Sequence, residues 1–294
     1  MQHPREGLIA VHSAVLLFGV TALFSKLIQL PALEITLLRS IFAAIALVAF
    51  IRVLGQPLRL DRGRDYGVAL LLGVLLATHW VTYFHAMQVS SVAVGVIALH
   101  TFPVITVFLE PMFHGERPHL RDVVSALVVL VGIYLLVPEF ALSDSTTQGV
   151  LWGVFSALLY SLRNIIQRRH FAQYPAPRAL FYQTVVVVAV LLPFGAQTVP
   201  AVTQTQWTQL LLLAVVFTAL PHALFGHALR HLKAKTASLV ACLQVVYATL
   251  MAALVLGEWP TVTTVVGGLL VVVTAMFESY TAGRSSPPRK APAR

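Results

Sequence analysis

Five polar side chains fall at steps of four, three, one and three within an otherwise apolar run: Ser156, Tyr160, Arg163, Asn164 and Gln167. Helical periodicity puts them on one stripe. A second run carries His79, Trp80 and Tyr83, with His79 and Tyr83 four apart and His79 near the middle. A third carries Thr218, Pro221 and His222, and two more carry His100 and Thr101 ahead of Pro103, and Gln244 with Tyr247 three residues on. These residue types recognise molecules. Rings stack on rings or on an ammonium, amides and hydroxyls hydrogen-bond, and Arg163 meets a carboxylate. The set holds at most one cation and no acid, which suits an amino acid, an aromatic or bulky one especially, better than a multivalent anion or an organic dication. Blander readings stay open. Arg163 lies about 21 Å into its run, where it can snorkel to headgroups, and a neutral His79 can simply bond one helix to another. His12, His85 and His227, near span ends, read as packing or interfacial residues. Arg39 is deeper than its neighbours and needs a partner.

Signals for bond-making chemistry are missing. The sequence has no G-x-x-x-x-G-K-[ST], no His-Glu-x-x-His and no Gly-x-Ser-x-Gly, so neither nucleotide hydrolysis nor a zinc or serine hydrolase is encoded by a known pattern. His12, His79, His85, His100, His222 and His227 lie in apolar runs without paired metal spacing to a carboxylate, and Cys242 is the single cysteine. The expectation is no metal, no cofactor and no enzyme.

The elements that position these residues follow from composition. The chain is 58% hydrophobic and 11% charged, with mean hydropathy +0.83. A soluble domain carries roughly 25% charged residues, so the partner of this surface is a lipid bilayer. Apolar runs at 8–27, 32–53, 66–88, 91–113, 120–138, 149–167, 178–196, 207–230, 236–257 and 261–281 are each about long enough to cross hydrocarbon as a helix. Pro31, Gly55, Pro57, Gly115, Pro118, Pro138, Pro175, Pro177 and Pro260 punctuate them. The Pro-rich basic tail from Gly283 reads as disordered.

With ten spans, 18 of the 20 Lys and Arg lie on one side, leaving Lys26 and Arg39. The opposite loops hold Glu34, Glu139, Asp144 and Glu258. The positive-inside rule then puts both termini in the cytoplasm, and the net charge of +9 is topological and needs no nucleic-acid partner.

The chain also repeats itself. His85-Ala86 to Gly115-Glu116 recurs as His227-Ala228 to Gly257-Glu258, offset by 142 residues at both ends. The same offset sets Lys26 against Arg168, and Pro103 against Val245. The Gly-Glu pairs read as structural: Gly ends a helix and the acid sits by the next helix's N-terminus. Two repeats of five spans must be inverted, because five is odd. Residues 1–141 form one repeat, 142–282 the second, and 283–294 the tail.

Ten helices as five plus five, Arg39 early in the second, the helix-three end leading into helix four, and Gly-Glu before helices five and ten resemble the drug/metabolite transporter superfamily, in its EamA-type branch. The resemblance covers about residues 8–281. It implies an all-α integral membrane protein of the bacterial inner membrane that exports amino acids or other small metabolites. Inverted repeats place a substrate site near the midplane, here at His79, Trp80, Tyr83, His100, Tyr160, Arg163, Asn164, His222, Gln244 and Tyr247. A small molecule is the expected substrate. His79 and His222 are of the residue type that titrates near neutral pH, so proton coupling and uncoupled efflux both stand open. The competing readings are a non-transporting receptor or scaffold whose polar residues are glue, and an exporter of another class such as drugs or nucleosides.

Overall fold

Leu, Val, Ala and Phe in runs of about twenty residues have one way to satisfy every backbone N–H and C=O without water, the α-helix. The computed structural model describes residues 3–113, 120–137, 140–232 and 234–285, and is helical almost throughout. In chain order the helices are α1 (His3–Leu27), α2 (Ala32–Val53), α3 (Gly63–Val89), α4 (Val92–Leu99), α5 (Phe102–Met112), α6 (Leu120–Leu136), α7 (Ser145–His170) and α8 (Ala176–Gly195). A short 3₁₀ turn, Ala196–Ala201, leads to α9 (Gln204–Ala214), α10 (Leu220–His231), α11 (Ala234–Ala241), α12 (Leu243–Leu256) and α13 (Val262–Ser285). Among the described residues nine helical stretches are long and apolar enough to cross a membrane, with α4–α5, α9–α10 and α11–α12 each counted as one. α6, at 17 residues, is a shorter apolar helix. Gly115-Glu116, Pro118, Pro138, Glu139, Lys233 and residues 286–294 lie outside the described residues, and Gly283–Ser285 continue α13.

Three expected spans are interrupted. The 91–113 run breaks at His100 and Thr101, ahead of Pro103, which cannot donate to the Leu99 carbonyl. The 236–257 run breaks at Cys242, the residue that the 142 offset pairs with His100, although no proline follows. There Val245 N reaches back three residues to Cys242 O at 3.4 Å. In the third, five residues, Val215–Ala219, form a wider π-helical turn between α9 and α10. Pro221 lacks the N–H that would bond the Phe217 carbonyl, and Thr21 Oγ1 on α1 lies 2.7 Å from that oxygen. The carbonyl freed by Pro221 thereby fastens α1 to α10.

The interior and the surface have exchanged characters relative to a soluble protein. Leu130 is 61% exposed, Leu254 73% and Val262 79%, whereas Arg39, His79, His100, Arg163 and Gln183 are buried. An exposed belt of aliphatic residues is stable only in lipid. α3 packs along α7 and α8, α2 along α8 and α9, α1 along α10 and α12, α4 and α5 on α7, and α6 along α13. α6 and α13 approach closely at two glycines. A Cβ placed on Gly267 would lie 2.5 Å from the Gly132 carbonyl oxygen, the close crossing that small residues permit. Gly267→Ala is expected to destabilise the folded protein by about 1–3 kcal/mol through overpacking. A lower Tm in detergent than wild type checks it; an unchanged Tm would mean that the two helices separate without cost.

Two loop assignments follow from side chains. Gly257 takes φ +70° and ends α12, as a glycine there allows. Glu258 differs from the sequence reading. It does not serve the following helix; its Oε2 accepts from Val92 N at the start of α4, at 2.9 Å. Its other oxygen lies 3.8 Å from Lys26 Nζ. The first N–H groups of a helix attract a carboxylate; at α4 the Ser91 hydroxyl accepts from Val94 N at 3.2 Å and Glu258 from Val92 N.

Candidate functional site

The centre of the bundle is built on the α3–α7 contact. His79 on α3 faces Ser156 on α7, with Nδ1 2.7 Å from Ser156 Oγ and 3.2 Å from Ser156 O. Ser156 Oγ donates its one proton to His79 O at 2.8 Å. Nδ1 therefore carries the hydrogen that serves Ser156, and in the neutral ring Nε2 is left as an acceptor. The imidazole is 4% exposed and lies between two rings. Tyr160 stacks at 4.9 Å and Tyr83 at 6.1 Å between centroids. Phe102, at the start of α5, meets Tyr160 edge-on at 4.9 Å. The Tyr83 hydroxyl is buried without a well-formed hydrogen bond, and the Gln244 side chain on α12 is near enough to interact with it. Gln244 Nε2 in turn lies 3.5 Å from Phe18 O on α1.

Arg39 finds its partner in rings. Its guanidinium carbon sits 4.2 Å from the Trp80 centroid and 4.4 Å from that of Phe84. Those contacts contribute about 2 kcal/mol each when desolvated, against a burial penalty of several kcal/mol for an unpaired ion. Arg39 is 2% exposed, and its Nε and Nη2 have no hydrogen-bond partner among the described residues. Arg163 is also buried, so it does not snorkel. Its Nε donates to Gln183 Oε1 on α8 at 2.8 Å and Nη1 to Asn164 Oδ1 at 3.2 Å. Gln183 Nε2 continues to Gln167 Oε1 at 3.2 Å. Arg39 lies against Trp80, the neighbour of His79, and Arg163 lies one turn from Tyr160 on α7. The expectation of at most one cation therefore does not hold: folding brings α2 against the cluster and adds Arg39.

His222 Nδ1 lies 2.7 Å from Thr218 O, and its ring meets Phe18 edge-on at 4.8 Å. The π-helical turn just before it turns the Thr218 hydroxyl back to Leu213 O at 2.8 Å. Such turns are frequent at functional sites.

Of the ten residues expected at the site, His79, Tyr83 and Tyr160 are in direct contact. Trp80 lies under Arg39 and Gln244 is near Tyr83, while Arg163 and Asn164 bond each other, with Arg163 one helical turn from Tyr160 on α7. His222 shares the Phe18 side of the cluster. Two stand apart. His100 commits Nδ1 to Val96 O at 2.8 Å inside its own helix and touches the cluster only through Phe102. Tyr247 packs over Gly19, whose added Cβ would lie 2.8 Å from its own. Gln183 and Phe84 were not anticipated. A lone amide among Phe181, Tyr182 and the valines after Thr184 was a usable signal for the first; nothing along the chain marks the second.

One end of the bundle is clamped by loop residues. Tyr174 donates to the buried Asp65 carboxylate at 2.5 Å, and Asp61 N donates to the Tyr174 hydroxyl at 2.8 Å. Burial first, and then that bond to Asp65, raise the Tyr174 phenol above its ordinary pKa. A cavity of about 690 Å³ opens here beside Arg62, Arg64, Arg169 and His170, about 20 Å along α3 from His79.

Comparison with known proteins places this arrangement. The chain matches the EamA-like transporter family twice, over residues 5–137 and 147–280. It is 26% identical to an uncharacterized transporter of Archaeoglobus fulgidus, over 93% of this chain and 96% of the relative. It is 28% identical to the pseudopaline exporter CntI of Pseudomonas aeruginosa, over 86% and 87%. It is 22% identical to an S-adenosylmethionine uptake transporter of Rickettsia conorii, over 86% and 84%. A solved crystal structure superposes with a TM-score of 0.65 over 95% of this chain and 99% of that one, at 18% identity, a likeness of fold.

Proposed function

The chain belongs to the EamA-like transporter family, and from that premise we propose that it is a secondary transporter exporting small polar metabolites, amino acids including aromatic ones foremost, across the bacterial inner membrane. The observation that carries the reading is the cluster of His79, Tyr83 and Tyr160 at the heart of a multi-pass bundle, flanked by Arg39 and Arg163. Polar groups this deep in an apolar fold are costly, and in membrane proteins they mark substrate paths.

We read the fold as ten spans in two inverted repeats of five with both termini cytoplasmic. The two family matches support it, as does the packing. Exchanging α1 with α7, α2 with α8, α3 with α9–α10, α4 with α11, α5 with α12, and α6 with α13 turns the α3–α7 contact into α10–α1, the α4–α7 contact into α11–α1 and the α5–α7 contact into α12–α1, and all three pairs are in contact. Alternating access then comes from rocking one repeat against the other about the cluster. Protons carried on His79 or His222 are a candidate coupling ion. One relative with a named cargo exports and another takes up; export is the direction adopted here.

Flux from proteoliposomes loaded with a panel of labelled amino acids and small metabolites tests the reading. Movement of one class above protein-free vesicles is expected, and a pH gradient across the vesicle that drives it identifies protons as the coupling ion. No movement of any panel member defeats the transporter assignment and returns the polar cluster to a structural role.

A further inference from the structure

Three guanidiniums are buried: Arg178 lies over Tyr174 at the loop end of the bundle, whereas Arg39 and Arg163, within the spans, have no carboxylate partner among the described residues. Seven acids among the described residues bond elsewhere: Glu34 to Thr198, Asp65 to Tyr174, Glu110 to Arg168, Asp122 to Arg121, Asp144 to Thr147, Glu258 to Lys26 and Glu278 to Ser125. Arg163 has neutral amides for partners, and Arg39 has aromatic faces with Nε and Nη2 unbonded. Aromatic faces hold a cation in place without neutralising it, so the guanidinium edge stays available for an anion.

Depth separates the two. Arg39 lies seven residues after the start of α2, about 10 Å along that helix, and Arg163 lies seven residues before the end of α7, about 10 Å from the opposite end. His79, bonded to Ser156 midway along α7, lies between these depths. Resting on the transporter reading above, we propose that the substrate is an elongated small organic acid with two acidic groups, one received by Arg39 at the Trp80–Phe84 clamp and the other by Arg163 at the Gln183–Asn164 amides, with its middle against His79, Tyr83 and Tyr160. These two span cations, without a carboxylate partner among the described residues, are matched by two anionic groups, and a zwitterion brings only one negative group to that balance. Fork-shaped guanidiniums suit carboxylate or phosphate geometry. The cavity at one end of the bundle is lined by Arg62, Arg64 and Arg169 against Asp61 and Asp65, and the one arginine in excess favours the approach of the same charge.

The test uses α,ω-dicarboxylates of about five to ten carbons, each paired with the same chain in which one carboxylate is replaced by a carboxamide. Thermal stabilisation of the purified full-length protein reads binding. At least one diacid is expected to bind about tenfold or more tighter than its monoamide, the scale of losing one desolvated charge pair. Arg39→Met, which keeps an apolar stem on Trp80 and Phe84, is expected to erase that preference. It is also expected to raise the Tm of the unliganded protein, because an unpaired buried charge is removed. A lower unliganded Tm for Arg39→Met and for Arg163→Gln would make the arginines structural. Monoamides that bind as well as diacids, or no stabilisation by any diacid, overturn the proposal. Flux of zwitterionic amino acids without diacid preference would leave the transporter reading standing while this one falls.

Discussion

His79→Ala is expected to lower substrate flux by about ten- to a hundredfold at unchanged protein level, the loss that follows from removing a buried polar partner of a bound molecule. The size comes from two losses at one position. The ring that separates Tyr83 from Tyr160 disappears, and so does the Nδ1 bond that ties α3 to Ser156 on α7. Two further variants separate them. His79→Asn puts an N–H near the place of Nδ1 and preserves the link to Ser156, without a ring or a second nitrogen. His79→Gln reaches toward the Nε2 position instead. If the histidine acts through substrate, Asn stays low and Gln recovers part of the flux. If it only joins two helices, Asn restores flux and Gln does not. Initial rates in proteoliposomes, normalised to reconstituted protein, decide between these patterns. Full flux in both His79→Ala and Gln244→Ala would show that the path runs elsewhere.

What the chain revealed in advance divides along a physical line. Lipid asks one question of a segment, whether about twenty residues can lie in hydrocarbon, and the answer is written locally. Nine of the ten expected spans were therefore legible among the described residues, and so was the stripe from Ser156 to Gln167, because spacing on one helix fixes a face. Contacts between helices were not. Trp80 reads as a substrate ring in sequence, yet its face is covered by Arg39 in the fold. Arg39 looked partnerless because an aromatic partner leaves no charge pattern to find. The break at Cys242 had no proline to announce it, whereas the break before Pro103 did. Glu258 went to α4 in place of the helix that follows it, since a carboxylate serves the nearest unbonded N–H groups whatever their place in the chain.

That displacement of Glu258 leads to the second large effect. Lys26 Nζ, at the end of α1, donates to Ser90 O at 2.9 Å and Gln88 O at 3.1 Å while facing Glu258. One carboxylate and one ammonium thus fasten the ends of α1, α3 and α12 to the start of α4. The repeat offset pairs Lys26 with Arg168, and Arg168 forms an ion pair with Glu110 of α5, near the other end of α7. Alternating access needs one end to open while the other closes, and these two contacts hold opposite ends. The Lys26–Glu258 pair is partly exposed, so its charge term is worth about 0.5–1 kcal/mol, and the lost α4 cap adds about 1 kcal/mol. Glu258→Ala is therefore expected to shift the balance toward opening at that end by about ten- to thirtyfold. A cysteine at Ser90, in a Cys242→Ser background, reports it as a faster reaction with a membrane-impermeant maleimide. Glu258→Gln retains an acceptor for Val92 N and should fall between. Arg168→Met should act in the opposite sense and slow labelling at position 90, by less, because that pair is more exposed. Faster labelling in both variants would mean that the bundle loosens as a whole, and the two ends would not be coupled as a transporter requires.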